Sequence, residues 1–274
     1  MHKLSIITPS YNQGAYLGET ISSVVQQGYP NLEYIIMDGG STDESLDIIK
    51  MHEKDISVWI SEPDNGQSHA FNKGLSKSSG DIIGWLNSDD VYYPGALKKV
   101  VQVFNEHPEV DVVFGNVNFI DENGKVLHRT KEITLDLNTY VFTERCYHAN
   151  AAGFFRKHCF EKYGLLNEKL VYSMDYELYL RFAFNHCVFF QLNDVLAAYR
   201  LHAHSKTYTR FDTMKAECKA SAETYKKYLK IHPAFYLPLK YYYKMHRIIK
   251  KLFSRSYSVQ QTIQGITFRS QYHP

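Results

Sequence analysis

Two periodicities alternate over the first 115 residues, and no other feature of the chain narrows its fold as much. Leu4-Ser5-Ile6-Ile7-Thr8 reads as a short buried strand; beyond a Pro-Ser-Tyr-Asn-Gln-Gly turn, Leu17, Ile21, Val24 and Val25 recur at helical spacing. Leu32–Met37 is a second apolar run, closed by Asp38-Gly39-Gly40. Ser41-Thr42-Asp43-Glu44 then has the pattern of a capping box ahead of Leu46, Ile48 and Ile49. Strands are predicted at Ile56–Ile60, Asp81–Leu86 and Val110–Phe114, with one helix over 66–79 and another that has Pro94 in its first turn and runs to about His107. Strands separated by helices of roughly 10–15 residues build βαβ units. The fold class is therefore α/β, with a mostly parallel central sheet covered by helices on both faces. Ligands bind beyond the carboxyl ends of such strands, which directs attention to the loops Thr8–Gln13, Asp38–Asp43, Glu62–Gln67 and Asn87–Asp90.

The second half is less regular. Asn116–Ile120 and Val126–Arg129 flank Asp-Glu-Asn-Gly, a hairpin pattern. Helical spacing returns over Asp175–Phe184, strands are predicted at Cys187–Leu192 and Val195–Tyr199, and from Thr213 the pattern is helical, broken at Pro233 and Pro238. A boundary falls near 205–212, giving a main domain over 1–210 (halves 1–115 and 116–210) and a basic, aromatic helical extension over 211–274. Thirty-one Lys+Arg against 29 Asp+Glu argues neither for nor against nucleic acid. Nine of those basic residues and none of the acidic ones fall in 225–255, so the remainder is net acidic. Cys146, Cys159, Cys187 and Cys218 are scattered with no CxxC pair, as expected of buried thiols in a reducing compartment. No apolar signal-peptide core follows Met1 and no stretch of about eighteen apolar residues occurs, so a cytoplasmic protein is expected.

Asn87-Ser88-Asp89-Asp90 ends an apolar strand. Adjacent carboxylates repel unless a cation or donors compensate, and hard oxygen ligands at a strand end suit Mg²⁺ or Mn²⁺ on substrate phosphates. A helix N-cap accounts for the same residues. Asp38-Gly39-Gly40-Ser41-Thr42-Asp43 brings backbone amides to a helix N-terminus, where an anion or polar ring can approach; a tight capped turn accounts for it equally. It is neither a dinucleotide fingerprint nor a phosphate-binding P-loop.

Taken together, Ser-Ile-Ile-Thr-Pro-Ser-Tyr-Asn (5–12), Asp-Gly-Gly-Ser-Thr-Asp (38–43), Glu-Pro-Asp-Asn-Gly-Gln-Ser-His-Ala-Phe-Asn-Lys-Gly (62–74), Asn-Ser-Asp-Asp (87–90), Met-Asp-Tyr-Glu-Leu-Tyr-Leu-Arg (174–181) and Tyr-Arg-Leu-His (199–202) resemble the family 2 glycosyltransferases. These are inverting enzymes of GT-A fold, and the resemblance covers about residues 3–205. It implies that Thr8, Pro9, Tyr11 and Asp38 hold the nucleotide base. Asp64, Gln67, Asn72 and Lys73 would line the ribose and diphosphate region, together with Asn87, Ser88, Asp89 and Arg200. It further implies Asp90, Asp89 and His202 as ligands of Mn²⁺ or Mg²⁺, and Asp175 as general base. Two departures stand out. Asn87 occupies the place of the usual first acid of the metal motif, and Met174-Asp175 leaves one carboxylate where an acidic pair is common. Glu177, two positions on, should point elsewhere on a helix.

The chemistry is consistent with these roles. Loss of a nucleoside diphosphate leaves negative charge that a cation stabilises, aided by His202 or Arg200. The acceptor hydroxyl must lose its proton to a carboxylate. One base and no protein nucleophile implies single displacement with inversion. The donor implied is a nucleotide sugar, UDP-linked by preference, and the acceptor a saccharide or lipid-linked saccharide. Asp175 may equally be read as a helix cap, Arg181 as the i,i+4 partner of Glu177, Tyr140–His148 as an acceptor-side loop or inert, and Tyr176, Tyr179 and Phe182 as packing. The basic, aromatic stretch 225–255 suits an anionic membrane surface, a packed helical pair or a dimer contact; it carries no nucleic-acid motif. Two other functions remain open: a sugar nucleotidyltransferase, against which the cation-free first loop counts, and a non-catalytic nucleotide-sugar-binding protein, against which Asp89, Asp90 and Asp175 count.

Overall fold

The computed structural model describes residues 2–203, 205 and 211–253. Nine strands form one sheet: β1 (Leu4–Ser10), β2 (Leu32–Asp38), β3 (Val58–Ser61), β4 (Ile82–Trp85), β5 (Val91–Tyr92), β6 (Val112–Ile120), β7 (Val126–Arg129), β8 (Gly153–Arg156) and β9 (Phe189–Arg200). The helices are α1 (Gly14–Val25), α2 (Ser45–Met51), α3 (Gln67–Lys77), α4 (Ala96–Glu106), α5 (Leu137–Thr143), α6 (Lys157–Tyr163), α7 (Met174–Phe184), α8 (Phe211–Tyr228) and α9 (Tyr236–Phe253). The strand order is β3-β2-β1-β4-β8-β6-β9-β5, with β7 on β6. The first four strands pair in parallel, as do β6 and β9, and β8 runs antiparallel between β4 and β6. The α/β class with a largely parallel sheet is thus as the periodicity indicates.

Successive residues of a strand face opposite sides, and in β1 and β2 both sides are buried. Ile7, Ile35 and Met37 join Phe71, Trp85, Phe114, Tyr176 and Tyr179 on one face. Ile6, Tyr34 and Ile36 join Leu17, Ile21, Leu97 and Phe104 on the other. Fully burying each such side chain contributes about 1.5–3 kcal/mol as an upper figure. That burial on both faces is why the strands read as continuous apolar runs.

Several boundaries differ from expectation for identifiable reasons. The predicted strand 110–114 and the first arm of the hairpin are one strand, β6, and the two strands of 187–199 are one strand, β9. Gly115 and Asn193-Asp194 look like turns, but the β6–β9 register merely shifts there, and a Cβ on Gly115 would lie 2.3 Å from Leu196 Cγ. Pro94 precedes α4, whose N-cap is Gly95 in the left-handed region. The capping box does not form: the Ser41 hydroxyl turns to Asp38, and Asp43 accepts from Ser45 N and Gly14 N. Pro238 lies in the first turn of α9, where its missing N–H costs nothing. The chain breaks instead between Tyr228 and Pro233, with Lys230 at φ 53°. Cys218, Ala222 and Tyr225 of α8 are buried in the sheet's main core, and contacts of the predicted extension with the domain continue to Lys251, which pairs with Glu132. Residues 254–274, Arg255 among them, and His204 lie outside the described residues. The four cysteines are free thiols, Cys146 being half-buried and the others buried.

Candidate active site

The carboxyl ends of β1, β2 and β3 lie side by side, with Ser10 opposite Asp38 and Asp38 opposite Ser61. Short-range bonds lock the loops that follow. Asn12 N donates to Ser41 Oγ (2.8 Å), Thr42 N to Asn12 Oδ1 (2.9 Å) and Gly14 N to Asp43 Oδ2 (2.9 Å). Asp38 is 2% exposed and accepts from Gly40 N, Ser41 N, Ser41 Oγ and Ser61 Oγ. Its carboxylate therefore organises the loop. At the edge above it Tyr11 is 60% exposed, Asp64 is half-buried and Gly39 lies buried beneath them. A Cβ on Gly39 would stand 2.7 Å from Asp64 Oδ2 and 3.3 Å from the Tyr11 ring, so only glycine lets these two side chains close over the backbone. Asp64 Oδ1 also accepts from Gly66 N at the start of α3. Thr8 and Pro9 sit beneath this edge, buried in β1, with the Thr8 hydroxyl 3.2 Å from that of Tyr34.

The turn after β4 is built around Asn87. Its Oδ1 accepts from Gln67 Nε2 (2.5 Å), Trp85 Nε1 (3.0 Å) and Asn150 Nδ2 (3.3 Å), and its Nδ2 donates to Asp90 Oδ2 (3.2 Å). An amide can do both, whereas an acid at 87 would face Asp90 with like charge. Asp90 is 1% exposed and its other oxygen accepts from Arg200 N (2.9 Å). Burial foremost, then the Asp89 charge, raise its pKa above the usual carboxylate range. Asp89 is half-buried, its Oδ2 3.1 Å from His202 Nε2. Ser88 is buried, and its carbonyl and that of Asp90 accept from the Thr20 hydroxyl.

Arg200 supports this turn from below. It is 2% exposed, donates to the carbonyls of Asp89, Asp121 and Glu122 and to Glu19 Oε2, and lies 4.9 Å above the Tyr16 ring. Its donors are thereby committed to the protein. Asn72 holds Leu166 and Glu168, and Lys73 pairs with Glu62 at 2.6 Å. The structure thus brings Asp89 and His202 within hydrogen-bond distance and turns Asp90 inward. Among the described residues, the trio of His, Cys and acidic side chains within 4.8 Å of one another is a different one: Asp111, His158 and Cys159, at the opposite ends of β6 and β8.

Asp175 sits in the first turn of α7, whose Tyr176, Tyr179 and Phe182 are buried, as their spacing predicts. Arg181 pairs with Glu177, which accordingly points away. One Asp175 oxygen accepts from Tyr176 N (2.7 Å) and the other from the Cys146 thiol (3.6 Å). Burial, partly offset by these bonds, pushes its pKa up to about 6. The span Cys146–Asn150 links α7 to the turn after β4, since Cys146 meets Asp175 and Asn150 meets Asn87. The segment before α7 is held by Glu217 of α8, which accepts from Val171 N, Tyr172 N, Ser173 N and Ser173 Oγ. Glu19, Asn150 and Glu217 carry no signal in the sequence, where Cys146 stands only as a buried thiol within the loop 140–148. Each acts through a partner at least 29 positions away, and local spacing holds no signal of that.

Residues 5–169, more than half of the chain, match the family described as Glycosyl transferase family 2. An uncharacterized glycosyltransferase of Rickettsia prowazekii (strain Madrid E) is 29% identical over 219 residues, 77% of this chain and 68% of that protein. In fold, the chain is similar to S. aureus TarS 1-349 in complex with UDP-GlcNAc (TM-score 0.62, 17% identity, 98% of this chain and 80% of that one). It is similar too to the mannosyltransferase PcManGT from Pyrobaculum calidifontis in complex with GDP-Man and Mn²⁺ (TM-score 0.61, 16% identity, 98% and 80%).

Proposed function

The chain belongs to glycosyltransferase family 2 and is a transferase of GT-A fold; from that premise we propose that it moves a sugar from a nucleotide donor, UDP-linked by preference, to a hydroxyl of a saccharide or lipid-linked saccharide, with inversion. The observation that carries this reading is the meeting of the β1, β2 and β3 loops around Tyr11, Gly39 and Asp64, with the Asn87–Asp90 turn tied to α3 through Gln67. Complexes of the fold neighbours with UDP-GlcNAc and GDP-Man support a nucleotide-sugar donor. Family membership favours transfer over nucleotidyl exchange.

The base stacks on Tyr11 and the ribose side meets Asp64. Asp38 acts by shaping the loop beneath, and Asn72, Lys73 and Thr8 support the walls. Asp89 and His202 fit a hard divalent cation, Mn²⁺ or Mg²⁺. They offer a carboxylate and an imidazole 3.1 Å apart, beside the buried acid Asp90. When bound, such an ion supplies charge stabilisation to the departing diphosphate. With Arg200 committed below the turn, His202 is the nearer protein group for that charge. Asp175 removes the acceptor proton as the new bond forms. A membrane contact through 225–255 fits a lipid-linked acceptor.

A thermal-shift panel of UDP-, GDP- and dTDP-sugars, each with and without Mn²⁺, tests the donor. One class should raise the melting temperature in a cation-dependent way, and a flat response to all three would refute the reading. Gly39→Ala should weaken binding of that donor about tenfold, ~1.4 kcal/mol, by pushing Asp64 and Tyr11 apart. Titration calorimetry on the folded variant measures it. The pH dependence follows from Asp175. Only its ionised form accepts a proton, so kcat/KM should fall as pH drops through about 6 and level off above it. A flat profile between pH values well below and above 6 would remove Asp175 from the role.

A further inference from the structure

Helix α9 is apolar on two sides: Tyr236, Leu239 and Tyr243 pack on the core, and a second set of apolar side chains faces out. Arg247 and Lys251 donate to Glu132 at 2.6 and 2.5 Å, Lys240 donates to Glu144 at 2.8 Å, and the Arg247 guanidinium lies 3.5 Å over the Tyr147 ring. The Glu132 side chain is 9% exposed, so rotating α9 would strand a buried charge. Side chains three or four positions apart share a helix face, and fixing 240, 247 and 251 inward presents Tyr241, Met245, Ile249 and Leu252 outward. Their exposures are 62%, 52%, 45% and 46%. A helix whose outer face meets water carries polar residues there instead.

The charge around this face indicates what covers it. Of the nine cations in 225–255, Lys226, Lys240, Arg247 and Lys251 are consumed by Glu132, Glu144 and Glu223. Attraction by the whole cluster is therefore reduced. Lys244 and Lys250 are exposed beside the apolar stripe, and among the described residues neither has a carboxylate partner. From residue 224 onward the sequence contains no Asp or Glu. A second copy packed face to face by twofold symmetry would bring like charges together, whereas anionic lipid complements both the stripe and its flanks.

We propose that α9 lies in the interfacial plane of an anionic bilayer, with Tyr241, Met245, Ile249 and Leu252 in the acyl boundary and Lys244 and Lys250 among the headgroups. The proposal concerns a lipid partner and is independent of the donor reading, because it is read without nucleotide. The test is co-sedimentation of the full chain with vesicles of phosphatidylglycerol and phosphatidylcholine, against pure phosphatidylcholine. The wild type should pellet with the anionic vesicles. Met245→Ser/Ile249→Ser/Leu252→Ser, outward substitutions that leave the melting temperature unchanged, should reduce partition more than about tenfold. Lys244→Gln/Lys250→Gln should also reduce it about tenfold or more. Absence of wild-type binding, equal binding to neutral vesicles, or indifference to the serine substitutions would overturn the proposal. So would a solution dimer that the serine substitutions dissociate, which would make the face a self-interface. Binding that arises only after 254–274 are removed would assign it to the chain's own tail, again overturning the proposal.

Discussion

Asp175→Asn is expected to lower sugar transfer by about 10²–10⁴-fold, the range that a positioned acid or base contributes, while donor affinity stays within twofold. The amide keeps the size of the side chain and can still accept from Tyr176 N, so α7 should remain in place. What it loses is proton affinity. In the wild type, burial has already moved this carboxylate up to about 6, making it a better base than an exposed aspartate near neutrality. The comparison to make is single-turnover transfer beside donor titration. A variant with wild-type transfer would exclude the base role, and one with lost donor binding would make Asp175 part of the donor site. The same substitution should also abolish the pH limb near 6 in whatever activity remains.

Cation removal should have an effect of similar size. If Asp89 and His202 hold a divalent ion, chelation should reduce transfer by roughly two to three orders of magnitude, since Lewis-acid stabilisation of a leaving phosphate is worth several kcal/mol. Mn²⁺ or Mg²⁺ should restore it. Asp89→Ala should show the same loss without rescue at ordinary cation concentration. Calorimetric titration of Mn²⁺ into the wild type and the variant gives a readout separate from turnover. Full activity in chelator would leave Asp89 and His202 as a hydrogen-bonded pair that supports the turn.

Much of the donor half is legible in the sequence because its information is local. The runs at Leu4–Thr8 and Leu32–Met37 are buried on both faces, and the helices between them keep their period, so strands and strand-end loops fall where the spacing indicates. Asp38, Gly39 and Asp64 can be picked out because each lies at or within three residues of a strand's carboxyl end. The lower part of the site cannot be found this way. Arg200 and Asp90 are 110 positions apart, and nothing near either one announces that the arginine is a buried support. Asn87 has the look of a weakened metal ligand, yet its amide joins four groups from three parts of the chain. The basic tail misleads in the same way: its charge count is plain, but four of its cations are matched by acids far upstream.

The five-residue span from Cys146 to Asn150 has a consequence for how such a protein can diversify. It pins two elements together: one end bonds Asp175 at the start of α7, the other bonds Asn87 in the turn after β4. Outside that pin, the hairpin tip at 123–125 bonds within its own turn, to Asp121, and can be exchanged without touching the contacts of Arg200 and Asn72. New specificity for the incoming partner could then arise by splicing surface loops while the older donor machinery is inherited unaltered.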